Sequence, residues 1–249
     1  MRYFLEFAYN GTRYCGYQEQ PNGDSVQAAV EKALGTLLRV PTKIVGCGRT
    51  DAGVHALQYY AHFDAEAIPS AEDFIYKLNS IIGQEIVFYR LLAVHDTAHA
   101  RFDATSRSYQ YVIDLVRNPF EQETAYYCRY GDRLDIDKMQ AAAQLLLNYK
   151  DFTTFCKSKT DTKTKLCDLR RSDWEWDEKE QRLIYRVTAN RFLRGMIRLI
   201  VGMCLNVGKG KVSLEEVKMA LEQQKMLPNA LSAPAQGLFL MDIVYDYMD

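Results

Sequence analysis

The sequence predicts an α+β fold with antiparallel strand pairing rather than a regular βαβ series, and three observations carry that prediction. Short segments of alternating apolar residues, punctuated by Asn, Gly and Asp, are interspersed with longer segments whose apolar residues recur every three to four positions. The order strand, helix, strands restarts at Arg107, which divides the chain into two halves, 1–104 and 105–249. No dinucleotide fingerprint or phosphate loop opens any of the helical segments.

The elements follow in order. Residues 1–9 alternate as a strand and run into the turn signal Asn10-Gly11-Thr12, after which a polar loop carries Tyr14, Gly16, Tyr17 and Gln18. Asp24 or Ser25 can cap a helix whose Val26, Ala29, Val30, Ala33, Leu34 and Leu37 share one face, suited to covering a sheet. Strands over Ile44–Cys47 and Val54–Phe63 flank Gly48–Gly53, where two glycines are expected to permit a tight turn. Ser70 with Asp73 resembles a capping box for a helix through Ile82, and Ile86–Val94 reads as a strand. The second half repeats the pattern with a strand over Ser108–Val116, a helix from Ile136 to Asn148, and strands around Lys165–Trp176 and Arg182–Ala189. A helix from Phe192 to Asn206, another opened by Ser213 with Glu216 three residues on, and a strand from Gly237 to Tyr245 complete it.

Composition narrows the function classes. The 249 residues are 48% hydrophobic and 25% charged, an ordinary balance for a folded chain with its own core. Six cysteines lack both CxxC spacing and the density of a disulfide scaffold, so reduced thiols and a cytoplasmic location are expected. No leader pattern opens the chain and no apolar run reaches the roughly 18 residues of a membrane span. With 31 Lys and Arg against 32 Asp and Glu, any nucleic-acid face must be local.

Several constellations could carry chemistry. Gly48-Arg49-Thr50-Asp51-Ala52-Gly53-Val54-His55-Ala56 sets a carboxylate, a guanidinium and a hydroxyl on one turn. A plain surface turn with an Asp–backbone bond also fits, but a neighbouring arginine favours ionised Asp51, and an ionised carboxylate is a nucleophile. Tyr109 and Tyr111 would share a strand face, either as a platform for bases or as packing. Arg191, Arg194 and Arg198 would form one basic stripe on the helix from Phe192, with Ile197, Ile200, Val201 and Cys204 on its buried side. Lys157, Lys159, Lys163, Lys165, Arg170 and Arg171 form a second basic run, suited to phosphates or to plain solvation. His95 and His99 lack the HExxH pattern, no metal site is expected, and His55 and His62 receive no catalytic role.

The nine residues Gly48–Ala56 resemble the signature of the TruA family of tRNA pseudouridine synthases. The likeness extends through Tyr9–Thr12, Tyr14–Gln18, Arg107–Tyr111, Asp151–Phe155, Phe192–Arg198 and Ala233–Leu240, in the family's order. The chain departs from the family at Asn10, Tyr17 and Gly195. The resemblance implies two pseudo-symmetric α+β halves, their antiparallel sheets joined into one surface with helices packed on one face and an active cleft between the halves. It implies isomerisation of uridine at tRNA positions 38, 39 and 40, in the anticodon stem-loop, by a homodimer without cofactor or metal. Asp51 matches the nucleophile, Arg198 its ionic partner, and Tyr109 and Leu238 the residues on either side of the flipped base. Arg49 either fixes the turn or fills the gap the base leaves. The alternatives to this activity are a catalytically silent tRNA-binding protein and a hydrolytic N-glycosidase.

Overall fold

The computed structural model describes residues 1–21, 23–156 and 164–248. It is mixed α and β, with mostly antiparallel strand pairing and five α-helices among those residues. The chain forms two compact units, Met1–Thr105 with Phe239–Asp249, and Ser106–Leu238. A linear division at residue 104 leaves out the return of the last strand to the first unit, where its partner lies more than 180 residues earlier in the chain.

In the first unit, β1 (Arg2–Tyr9) pairs antiparallel with both β3 (His55–Asp64) and β4 (Ile86–Val94). The short β2 (Val45–Gly46) pairs antiparallel with β3, while β9 (Leu238–Tyr245) meets β3 in parallel at His55↔Phe239 and Ala56↔Leu240. α1 (Val26–Leu38) starts at Ser25, whose hydroxyl accepts from the Ala28 N–H, so Ser25 and not Asp24 is the cap. α2 (Ala71–Ile81) is capped by Ser70, but Asp73 pairs with Lys77, so its side chain is engaged along the helix. One sheet face buries Leu5, Phe7, Tyr59 and Phe88, and Phe63 packs on Phe74 of α2 with ring centroids 6.4 Å apart. The other face is also covered: the Tyr245 hydroxyl donates to Ala100 O at 2.6 Å, and the Ala100 N–H donates to His62 Nδ1 at 3.1 Å. A segment following β4 thus straps the second face.

In the second unit, β5 (Ala104–Asp114) pairs antiparallel with β8 (Arg182–Ala189), which pairs antiparallel with β7 (Leu169–Asp177). The short β6 (Tyr126–Tyr127) joins β5 in parallel. Strand β5 ends at Asp114 rather than Val116 because its partner begins at Arg182, and the Leu115 N–H turns to Gln181 O. α3 (Ile136–Leu145) continues into a short 3-10 turn at Leu146–Asn148, and α5 (Leu214–Glu222) opens with a complete Ser213–Glu216 capping box. α4 (Met196–Gly208) is the core helix, buried at every position except Arg198. A helix apolar on all sides is one that neighbours surround. Ser172 on β7 donates to Ala143 O of α3 at 2.7 Å, so sheet and helix layer are tied by a polar bond as well as by packing.

Candidate active site

The Asp51 turn sits in the first unit between β2 and β3, closed by the Val54 N–H donating to Asp51 O at 3.2 Å. Gly53 has φ +75°, in the left-handed region that glycine enters without strain. Gly48 is different: its φ is not positive, and a β-carbon there would meet nothing within 4 Å. The expectation that both glycines are sterically required therefore holds for Gly53 alone.

Tyrosines support the turn from below. The Tyr59 hydroxyl donates to Gly48 O, the Tyr9 hydroxyl hydrogen-bonds the Thr50 hydroxyl at 2.9 Å, and Tyr17 stacks on Tyr59 with centroids 4.5 Å apart. Burial raises the phenol pKa of both Tyr17 and Tyr59 well above the usual value, so both are neutral supports. The loop from Tyr14 to Gln18 closes against the turn from the side. Its Tyr17 N–H donates to Thr50 O at 3.2 Å, and Gly16, at φ +99°, lies so close that a β-carbon would fall 2.6 Å from Thr50 O. The same loop joins α1, since Gln27 N–H donates to Tyr17 O at 2.9 Å.

This framework accounts for two of the sequence departures and for one histidine. Asn10 Oδ1 accepts from the Thr12 N–H at 3.0 Å, a bond an aspartate could make equally, and Tyr17 supplies a flat buried ring. His55 is buried, with Nδ1 accepting from the Gly11 N–H at 3.1 Å and its ring stacked on Phe239 at 4.6 Å. It pins the turn after β1 to the start of β3. Asp51 itself is half-buried. Arg49 is exposed, and among the described residues its guanidinium makes no ion pair or hydrogen bond, so the turn is held by tyrosines and not by Arg49.

The other site candidates lie in the second unit. The two tyrosines of β5 part company: Tyr111 is fully buried and donates to Pro234 O at 2.8 Å, while Tyr109 is half-buried with Phe192 edge-on at 5.2 Å. Arg198 Nε donates to Ala233 O at 2.6 Å, and the Ala233 N–H returns a bond to Arg198 O at 2.9 Å. Arg198 and Tyr111 therefore fix the segment that ends in a 3-10 turn, Ala235–Gly237, and delivers Leu238, 6% exposed, to the start of β9. Tyr9, Gly16 and Phe192 lie in segments that carry the family resemblance but have no role assigned from the sequence, and Tyr59 is not singled out there at all. The density of tyrosine around the glycine-bounded turn was the available signal.

Two expectations are corrected. The helix begins at Met196, after Gly195 at φ +71°, so Arg191 and Arg194 precede it and no three-arginine stripe exists along α4. Apolar spacing runs on through Phe192 and Leu193, but Leu193 is buried as part of an irregular approach to the helix. The second basic run is also divided. Lys157, Lys159 and Lys163 lie outside the described residues; Arg170 pairs with Asp168, and Arg171 bonds Asp173 at 2.7 Å as well as Glu175. Arginines already met by carboxylates must break those bonds to take a phosphate.

Comparison with known proteins bears on this arrangement. Residues 142–246 match the family model described as tRNA pseudouridine synthase. A protein of Bacteroides fragilis named tRNA pseudouridine synthase A is 45% identical over 98% of this chain and 96% of its own length. Proteins of the same name from Bacteroides thetaiotaomicron and Bacillus subtilis are 44% and 36% identical, over 98% and 99% of this chain and 90% and 100% of theirs. With identity at this level over nearly the whole length of both chains, the chain belongs to the tRNA pseudouridine synthase A family.

Proposed function

We propose that Asp51 is the nucleophile of this isomerase, which converts uridine in tRNA to pseudouridine. The reaction breaks the C1′–N1 bond, turns the uracil and joins C1′ to C5, from which a proton leaves. A carboxylate can serve by attack at C1′, by attack at C6 of the ring, or by promoting elimination to a glycal. The observation that carries the assignment is the rigidity of the turn. Tyr9, Tyr59 and the Gly16–Tyr17 loop fix the backbone on both sides of Asp51, which is what orientation of a reacting group requires.

The remaining roles follow the family match. Arg198 is assigned as the ionic partner that orients the Asp51 carboxylate, with Ala233 holding the guanidinium in place. Tyr109 is assigned one face of the flipped uracil and a part in C5 proton removal, and Leu238 the other face. Arg49, exposed and without a bond among the described residues, suits filling the space the extruded base leaves. The reading places these residues in a cleft between two pseudo-symmetric halves whose sheets join. It also holds that the protein is a cytoplasmic homodimer acting without a cofactor on positions 38, 39 and 40 of the anticodon stem-loop. The free cysteines among the described residues agree with a reducing compartment, and no helix among those residues is long and apolar enough to cross a membrane.

The test is to incubate unmodified tRNA with wild type and Asp51→Ala, derivatise pseudouridine chemically and map reverse-transcription stops. Stops at positions 38, 39 or 40 with wild type only are expected, with tRNA binding retained by the variant. Stops at other positions would overturn the substrate assignment, and stops with the variant would overturn the nucleophile.

A further inference from the structure

Among the described residues about half of the Lys and Arg side chains face a carboxylate, as Arg2 faces Asp64, Lys43 faces Glu31 and Arg186 faces Glu175. Arg129, Lys209 and Lys211 do not; none of their side chains makes an ion pair or hydrogen bond among the described residues. Arg129 and Lys209 instead stand over one ring, that of Tyr130, at 5.9 and 5.5 Å from its centroid. Tyr130 is 46% exposed, and Arg129 and Lys211 are exposed as well, Lys211 two residues beyond Lys209.

Two like charges held at one ring repel each other, and a ring quadrupole attracts cations without neutralising them. The cluster is thus charged and available, where Arg171 with its two carboxylates is spent. Its frame is rigid. Lys211 N–H donates to Asn206 O and Gly210 N–H to Val207 O, closing the end of α4, while Asp135 N–H donates to Gly208 O and ties that end to the segment after Tyr130. The local carboxylates are mostly committed: Asp135 bonds Lys138 at 2.8 Å and Asp132 lies 3.9 Å from Arg133, leaving Asp137. Segments 129–138 and 209–211 carry five cations against three carboxylates in a chain whose net charge is −1. The dipole of α4 also favours lysine at its C-terminus, which accounts for Lys209 but not for Arg129, contributed by a separate segment.

We infer that Arg129 and Lys209, organised around Tyr130, form together with Lys211 at the end of α4 a docking surface for the phosphate backbone of tRNA, separate from the residues assigned to the reacting uridine. The inference rests on the tRNA reading above. Phosphates are the partner that fits, because they take unpaired cations without demanding a shaped pocket, and the counterions released make the contact salt-dependent.

The experiment measures the affinity of the full-length protein for an unmodified whole-tRNA transcript across a salt series. The triple variant Arg129→Gln, Lys209→Gln, Lys211→Gln is compared with wild type and with Lys32→Gln, Lys225→Gln, which removes exposed charge elsewhere. The slope of log affinity against log salt should fall by about 2 to 3, at roughly 0.7 to 0.9 per cation, with binding about tenfold weaker near physiological salt. The Lys32/Lys225 variant should show a clearly smaller change. Tyr130→Ala should weaken binding by releasing the two cations, and Tyr130→Phe, which keeps the ring, should bind as wild type does. A triple variant that is folded by its melting curve and matches wild type in slope and affinity overturns the docking surface alone. Wild-type protein that neither binds the transcript nor forms pseudouridine in it overturns the tRNA reading instead.

Discussion

The smallest residues at the site carry the sharpest constraint. Gly16 combines φ +99° with a backbone approach that leaves a β-carbon 2.6 Å from Thr50 O, so a methyl group there must move either the loop or the turn bearing Asp51. Gly16→Ala is expected to cost roughly 1–3 kcal/mol of stability, visible as a lower melting temperature. It should also lower kcat more than it raises KM, because the displaced group is the proposed nucleophile. Tyr9→Phe removes only the hydroxyl bonded to Thr50 and should cost about 1 kcal/mol at most in stability while slowing single-turnover pseudouridine formation several-fold. An unchanged single-turnover rate would remove Tyr9 from the support of the turn. At this scale the sequence is legible in part. The Asp51 turn stands out by composition, but its supports come from positions 9, 16, 17 and 59, and only the folded sheet brings those together.

Elements were readable where a local signal marked their ends. Ser25, Ser70 and Ser213 each accept from a backbone N–H three residues on, and the strands Ile86–Val94 and Arg182–Ala189 end where their alternation ends. α4 was misread at its start because the apolar spacing continues from Phe192 across a residue in the left-handed conformation, and periodicity is blind to φ. The position itself supplies a test. Ala at φ +71° should destabilise by about 1 kcal/mol, while Asn, which enters the left-handed region more readily, should cost less. The melting-temperature order wild type, Gly195→Asn, Gly195→Ala, Gly195→Val is expected. A Val variant as stable as wild type would mean that the approach to α4 relaxes freely, and with it the placement of Arg198 two residues into the helix.

Over the whole molecule, near-neutral charge hides a pH dependence that individual burial sites set. His62 is 5% exposed, and its pKa falls from the usual 6.5 to about 4, first through burial and then through the charges of Arg2 and His99, against the opposing pull of Asp64 and Asp103. The unfolded chain takes up a proton at this histidine as pH falls through 6.5, and the folded chain does not until about pH 4. Unfolding therefore gains a proton across that window, and stability declines on acidification, approaching a cost on the order of 3 kcal/mol at about 1.4 kcal/mol per tenfold difference in proton affinity. Asp64, held low by its hydrogen bonds from Arg2, acts at more acid pH, where its protonation removes a favourable contact. Asp114, raised by burial, binds its proton more readily when folded and offsets part of the loss. His62→Asn keeps an acceptor near the Ala100 N–H without titrating between pH 6.5 and 4, so its melting temperature should fall less over that interval than the wild type's. Parallel melting curves for the two proteins across the interval would show that the proton is taken up elsewhere.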